Sequence, residues 1–229
     1  MIVFLCLELD DTILDFHKAD RIALSKTLES FGLEPTEAVL SRYSEINKLH
    51  WQRLERGELT RPQVLLGRFS CLFEEAGIAC DAAAIAERYE NNLGMGHYFL
   101  PGAREAVAAL GKKYRLFLAS NGTLSVQHSR LTSANLYPCF EKVFISQQLG
   151  FNKPDVRFFE AAFAQIPGFD RSRAMMVGDS LTSDILGGIN AGLPTVWINP
   201  SHAPANPAIP ADYEIESIVQ LEALLDTLK

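Results

Sequence analysis

Six side chains in this sequence have the types and spacing for phosphate and metal chemistry. Glu8 and Asp10 alternate through Glu8-Leu9-Asp10-Asp11-Thr12, and alternate residues of an extended segment project to one side, so two carboxylates share one space. A second acidic pair, Asp179 and Asp184, stands in Gly178-Asp179-Ser180-Leu181-Thr182-Ser183-Asp184. Carboxylates are the hard oxygen donors that Mg²⁺ prefers, with water and substrate phosphate filling the remaining positions. Ser120-Asn121-Gly122 adds a hydroxyl and backbone N–H groups suited to phosphate oxygens. Lys153-Pro154 adds a cation at a helix start. Each segment alone has an ordinary reading as a turn, a helix cap or a solvated loop. The case rests on four such segments in this order, each after a predicted strand.

Groups so far apart in the chain need a scaffold that brings strand ends together. Residues 2–7 are a continuous apolar run, as expected of a central parallel strand buried on both faces. A helix follows, with Leu24, Leu28 and Phe31 on one stripe and Gly32 placed to end it. Further helices are predicted over 36–56, 61–76 and 81–92; Thr60, Pro62 and Gln63 form a capping-box start for the second of these. Successive helices without a strand predict a helical bundle, 16–96, inserted in an α/β core of 1–15 and 97–229.

From Pro101-Gly102 onward, helices over 103–111, 123–134, 155–165, 183–191 and 217–228 alternate with short apolar strands over 115–119, 142–145, 174–177 and 195–198. That rhythm predicts a doubly wound parallel sheet with helices on both faces, which binds ligands at the carboxyl edge of its strands.

The chain has 229 residues, 48% hydrophobic and 21% charged, enough for a substantial core. Its net charge of −7 excludes a basic surface for nucleic acid and leaves isolated nucleotides as ligands. Cys6, Cys71, Cys80 and Cys139 lack metal-ligand spacing and read as free thiols, and residues 2–7 are too short to span a bilayer. A cytoplasmic protein without membrane or nucleic-acid partners is expected. A monomer and a homodimer fit the sequence equally.

The four segments together resemble the motifs of the haloacid dehalogenase (HAD) superfamily: Asp-x-Asp-x-Thr, a Ser or Thr after a strand, a Lys, and Gly-Asp-x4-Asp. Ser120-Asn121-Gly122, the stretch from Ile145-Ser146 to Lys153-Pro154, and 183–192 look like the superfamily's pyrimidine 5′-nucleotidase branch, as do Asn47-Lys48 to Trp51 and Gly67-Arg68-Phe69. The resemblance implies a HAD-like Rossmannoid core with a helical cap. It also implies a Mg²⁺-dependent phosphomonoester hydrolase working through an acyl-phosphate, with a nucleoside 5′-monophosphate or similar small phosphorylated metabolite as substrate. Position 8 is then the nucleophile, Asp10 the acid/base, Ser120 with Asn121 and Gly122 the phosphate-binding turn, and Lys153 the charge-neutralising cation. Glu8, the Asp10 backbone carbonyl, Asp179 and Asp184 become the metal ligands.

The chain departs from that pattern at position 8, where the attacking Asp is a Glu. An extra methylene displaces the carboxylate by roughly 1 Å, and a misplacement of that size can cost about 10²-fold in rate. The expected site is therefore magnesium-competent with reduced turnover. Two rivals are a non-catalytic phosphometabolite-binding protein, supported by Glu8, and a metal-free haloacid dehalogenase, opposed by the second acidic pair. His17, His50, His97, His128 and His202 are scattered and read as surface or capping residues. Trp51 is a candidate substrate contact on the inserted bundle, His50 and Arg53 are so by analogy alone, and Phe69 reads as core.

Overall fold

The computed structural model describes residues 1–228. The chain separates into two compact units, Met1–Phe16 with His97–Lys229, and His17–Gly96.

The first unit is built on a sheet of six parallel strands: β1 Phe4–Leu7, β2 Arg115–Ser120, β3 Lys142–Ile145, β4 Ala174–Gly178, β5 Thr195–Ile198 and β6 Tyr213–Ile215. Their spatial order is β3-β2-β1-β4-β5-β6. The order reverses at β1, whose Leu7 registers with Leu118 of β2 on one side and Val177 of β4 on the other. In a doubly wound sheet such a switch point opens a crevice at the carboxyl ends of the strands.

Side chains alternate across the sheet, and both faces are apolar. Leu5 and Leu7, Leu116 and Leu118, and Met175 and Val177 enter one core, shared with Val107 and Leu110 of α5 (Ala103–Leu110), Leu131 of α6 (Leu124–Ser133) and Leu221 and Leu225 of α10 (Leu221–Thr227). Phe4 and Cys6, Phe117 and Ala119, and Ala174 and Met176 enter the other, packed on Phe158, Phe159, Ala162 and Phe163 of α8 (Val156–Phe163). Two covered faces explain why the strands read as unbroken apolar runs instead of alternating patterns.

The second unit is helical: α1 Phe16–Ser30, which begins on the last residue of the first unit, α2 Glu37–Glu55, α3 Arg61–Ala76 and α4 Ala82–Gly94. Gln63 Oε1 accepts from the Thr60 N–H at 2.8 Å, so the expected capping residue ties down the start of α3. Its core is aromatic, with Phe69 stacked on Tyr43 at 5.0 Å between centroids and edge-on to Tyr89 at 5.3 Å. Arg68 is buried among these rings, donating to Asn47 Oδ1 and Glu90 Oε1. Tyr89 donates to Asp20, and Asn92 to Thr27, joining α4 to α1.

Three segments differ from the sequence reading. β6 was not anticipated: it has three residues, too few for a periodic signal, and is held by pairing with β5. A short α7, Ser146–Leu149, follows β3 directly. The helix expected over 183–191 is a π-helical turn, Leu181–Ile185, followed by α9, Leu186–Asn190. The wider turn is stabilised by its own acid, since Asp184 Oδ2 accepts from the Ser180 N–H at 3.0 Å.

Candidate active site

Glu8 is the first residue past β1, and its carboxylate is engaged at both oxygens. Oε1 folds back to accept from the Leu9 N–H at 2.8 Å and the Asp10 N–H at 3.4 Å, while Oε2 pairs with Lys153 Nζ. The added methylene is thus absorbed by a side chain curled onto its own strand end. Burial pushes the Glu8 carboxyl up from its ordinary value to about 7; Lys153 opposes this, and Asp184 and Asp10 reinforce it.

Lys153 lies after β3 and is fully buried. Its ammonium also donates to Asp184 Oδ1 and the Ala119 carbonyl, each at 2.5 Å. Burial alone would lower its pKa, but Asp184 and Glu8 outweigh that and raise it, so the side chain stays cationic. The Asn121 amide sets the height of this lysine: Nδ2 donates to the Lys153 carbonyl and Oδ1 accepts from the Lys153 N–H, both at 2.9 Å. The Asn121 side chain therefore serves the lysine loop.

Asp184 approaches the main chain of β4 so closely that a Cβ on Gly178 would lie 2.2 Å from its Oδ2, which accounts for the glycine before Asp179. Asp179, the first residue beyond β4, accepts from Thr12 Oγ1 at 3.4 Å, and its carbonyl accepts from the Trp197 indole at 2.8 Å. Burial, then Asp184, Asp11 and Glu8, push its carboxyl well above the usual range. Asp11 takes a left-handed backbone, φ 49°, with Oδ1 accepting from the Phe16 N–H at 2.9 Å.

Asp10 points elsewhere. Its Oδ1 pairs with Arg130 and its Oδ2 accepts from Gln127 Nε2 at 2.7 Å. The phosphate-turn candidate Ser120 meets the same Gln127: its Oγ accepts from Gln127 Nε2 at 2.9 Å and from the Gly122 N–H at 3.2 Å. Trp51 belongs to the helical unit, on α2, with the Arg61 guanidinium 5.4 Å from its ring centroid.

Glu8 and Asp184 share the ammonium of Lys153, and Asp179 lies buried near both, its carboxyl raised first by its own burial and then by the neighbouring acids. The donor chemistry fits a divalent cation such as Mg²⁺. Among the described residues, though, no three His, Cys, Asp or Glu side chains are grouped as a metal cage. The acids turn to protein cations instead: Glu8 and Asp184 to Lys153, and Asp10 to Arg130.

Gln127 and Arg130 were absent from the sequence reading. The signal available was their spacing: with Val126 and Leu131 they form the buried stripe of α6, where an amide and a guanidinium are out of place.

The strand ends at the switch point thus carry a buried Lys between two acids, with Asp10 and the Ser-Asn-Gly turn gathered on Gln127 beside them. The family model for haloacid dehalogenase-like hydrolases matches residues 8–192, and the chain belongs to that family. It is 38% identical over 224 residues to the pyrimidine 5′-nucleotidase PynA of Streptococcus pneumoniae, covering 97% of this chain and 94% of that protein. It is 31% identical over 216 residues to the pyrimidine 5′-nucleotidase YjjG of Escherichia coli, covering 94% of each. A crystal structure of the HAD-hydrolase YfnB of Bacillus subtilis, bound to magnesium, superposes with a TM-score of 0.94 at 36% identity, covering 98% of this chain and 99% of that one. No helix among the described residues is long and apolar enough to cross a membrane.

Proposed function

We propose that this chain is a Mg²⁺-dependent phosphomonoester hydrolase acting on nucleoside 5′-monophosphates or similar small phosphorylated metabolites. The observation that carries the proposal is the buried ammonium of Lys153 held between Glu8 and Asp184 at the carboxyl edge of the sheet. An anionic nucleophile approaches an anionic phosphate only where fixed cations offset their repulsion. The nucleotide class is supported by the two pyrimidine 5′-nucleotidases among the relatives. A reducing cytoplasm agrees with four free cysteines.

A Glu8 oxygen attacks phosphorus and forms an acyl-phosphate, and the ester oxygen leaves with its bonding pair and takes a proton from Asp10. Water then attacks the phosphorus, Asp10 takes its proton back from that water, and inorganic phosphate departs with Glu8 restored. Ser120 and the Asn121 N–H hold phosphate oxygens, with Gly122 bracing Ser120, and Lys153 orients Glu8. Glu8, Asp179, Asp184 and the Asp10 carbonyl are the residues that would hold Mg²⁺. When bound, the ion supplies positive charge against the transferring phosphoryl group.

Glu8 is held at both oxygens by Lys153 and the backbone amides, so its attacking lone pair is fixed in the folded-back position that the extra methylene imposes. Turnover by the chain as it stands is therefore slow. Glu8→Asp is expected to raise hydrolysis of p-nitrophenyl phosphate and nucleoside monophosphates by about 10- to 100-fold, the range that a 1 Å correction can restore. Equal, high rates in both proteins would refute the geometric argument. The same fastening favours a second reading, a binding protein that keeps the phosphometabolite pocket without turnover. Tight nucleotide binding by calorimetry with no phosphate released over hours would establish that reading instead.

A further inference from the structure

We infer that Gln127 and Arg130 are positioning residues forming a polarity relay, in which Arg130 fixes the Gln127 amide and the amide makes Ser120 an obligate donor toward phosphate. This rests on the reading of the site as a phosphate pocket. Both side chains are buried, Gln127 at 1% exposure and Arg130 at 0%, so neither is a chance surface contact. Burying an amide and a guanidinium costs stability unless their hydrogen bonds are well made.

The relay runs in one direction. Arg130 has only donors, and its Nη1 donates to Gln127 Oε1 at 3.1 Å. That contact dictates the orientation of the amide, leaving Nε2 to face Asp10 Oδ2 at 2.7 Å and Ser120 Oγ at 2.9 Å. The carboxylate of Asp10 imposes the same choice independently, because a flipped amide would set oxygen against oxygen. Ser120 Oγ has two lone pairs and one hydrogen. Gln127 Nε2 takes one lone pair and the Gly122 N–H, at 3.2 Å, takes the other. What Ser120 still offers is its hydrogen, which suits a phosphate oxygen and suits no donor ligand.

Gly122 belongs to the device. A Cβ at this position would lie 2.3 Å from Gln127 Nε2 and 2.5 Å from its Cγ, so glycine is what allows the amide to reach Ser120. The same amide, with Arg130, holds both oxygens of Asp10. One turn of α6 thereby sets the orientation of the proton-transfer carboxylate and the phosphate-binding hydroxyl together.

The test is a double-mutant cycle read as affinity for inorganic phosphate in the presence of Mg²⁺, by calorimetry on the full chain. Ser120→Ala is expected to weaken binding about tenfold, the order of one hydrogen bond to a charged group. Gln127→Leu is expected to weaken it by a similar factor. If Gln127 acts through Ser120, the double variant binds about as well as Ser120→Ala alone, because the second change has nothing left to misdirect. Multiplicative losses, about 100-fold in the double variant, would overturn the relay, as would an unchanged affinity in Gln127→Leu. Should Gln127→Leu fail to fold, Gln127→Asn withdraws the amide from Ser120 and completes the same cycle. A wild-type chain that binds no phosphate would overturn the phosphate-pocket reading itself, and the relay with it. Where hydrolysis is measurable, the loss in Gln127→Leu is expected in KM as well as kcat, whereas damage to packing alone would lower the fraction of active protein at constant KM.

Discussion

At the scale of single residues, Lys153 decides whether the strand ends tolerate their acids. Lys153→Met would leave Glu8 and Asp184 buried beside Asp179 without the ammonium between them. Removing one partner of a buried ionic network typically costs about 3–5 kcal/mol, and a loss of that size is expected in urea unfolding at pH 8. In the wild type, the folded Glu8 carboxyl titrates near 7 against an ordinary 4.5, so between these values the folded chain holds more protons than the unfolded one. This contribution is present in full below the ordinary value and is lost as pH rises through about 7. The deficit of Lys153→Met is therefore expected to narrow as pH falls from 8 toward 5, and a deficit that widens would show that the acids are not the cause. The residues that could be read from sequence were those following strands in recognisable order. Glu8, Ser120, Lys153 and Asp179 are at strand ends or in the loops beyond them, and Asp184 is in the first turn of the helix that follows β4. Gln127 and Arg130 were missed because they lie on the inner stripe of a helix, where type and spacing ordinarily signify packing.

At the scale of elements, α3 carries the polar centre of the helical unit. Arg68 donates to Asn47 on α2 and Glu90 on α4, and its guanidinium lies 4.8 Å from the Tyr89 ring centroid. Arg68→Met fills similar volume but strands the acid, and should destabilise this unit by about 3–5 kcal/mol. Phe69→Ala, which empties the stacking position beside Tyr43, should cost about 3–5 kcal/mol by cavity formation. Urea unfolding followed by circular dichroism checks both, and a change under about 1 kcal/mol in either would contradict the assigned packing. Elements with a bounded local signal were legible: α3, opened by its capping box, and the strands β3 and β5, each a short apolar run, have the bounds expected of them. The π-helical turn at Leu181–Ile185 was not, because it is determined by where Asp184 must reach and not by local propensity.

At the scale of the whole molecule, the excess of acid at the strand ends predicts that the fold responds to divalent cations. With Mg²⁺ at about 100 times its Kd, a site present only in the folded chain gains about 2.7 kcal/mol, seen as a higher melting temperature that EDTA reverses. No shift at millimolar Mg²⁺ would argue against the cation. The sheet also hides Cys6, whose thiol burial pushes up to about 12. Iodoacetamide at pH 8 is therefore expected to leave it unmodified in the native chain and to alkylate it in urea. The indole of Trp197, bonded to the Asp179 carbonyl, has a consequence of its own. It places a fluorophore on the main chain of one of the acids, and the sequence contains two tryptophans. With Trp51→Phe, emission from the chain comes from that indole alone, so cation or phosphate arrival at the strand ends becomes an optical signal that stopped-flow mixing can time without any added dye.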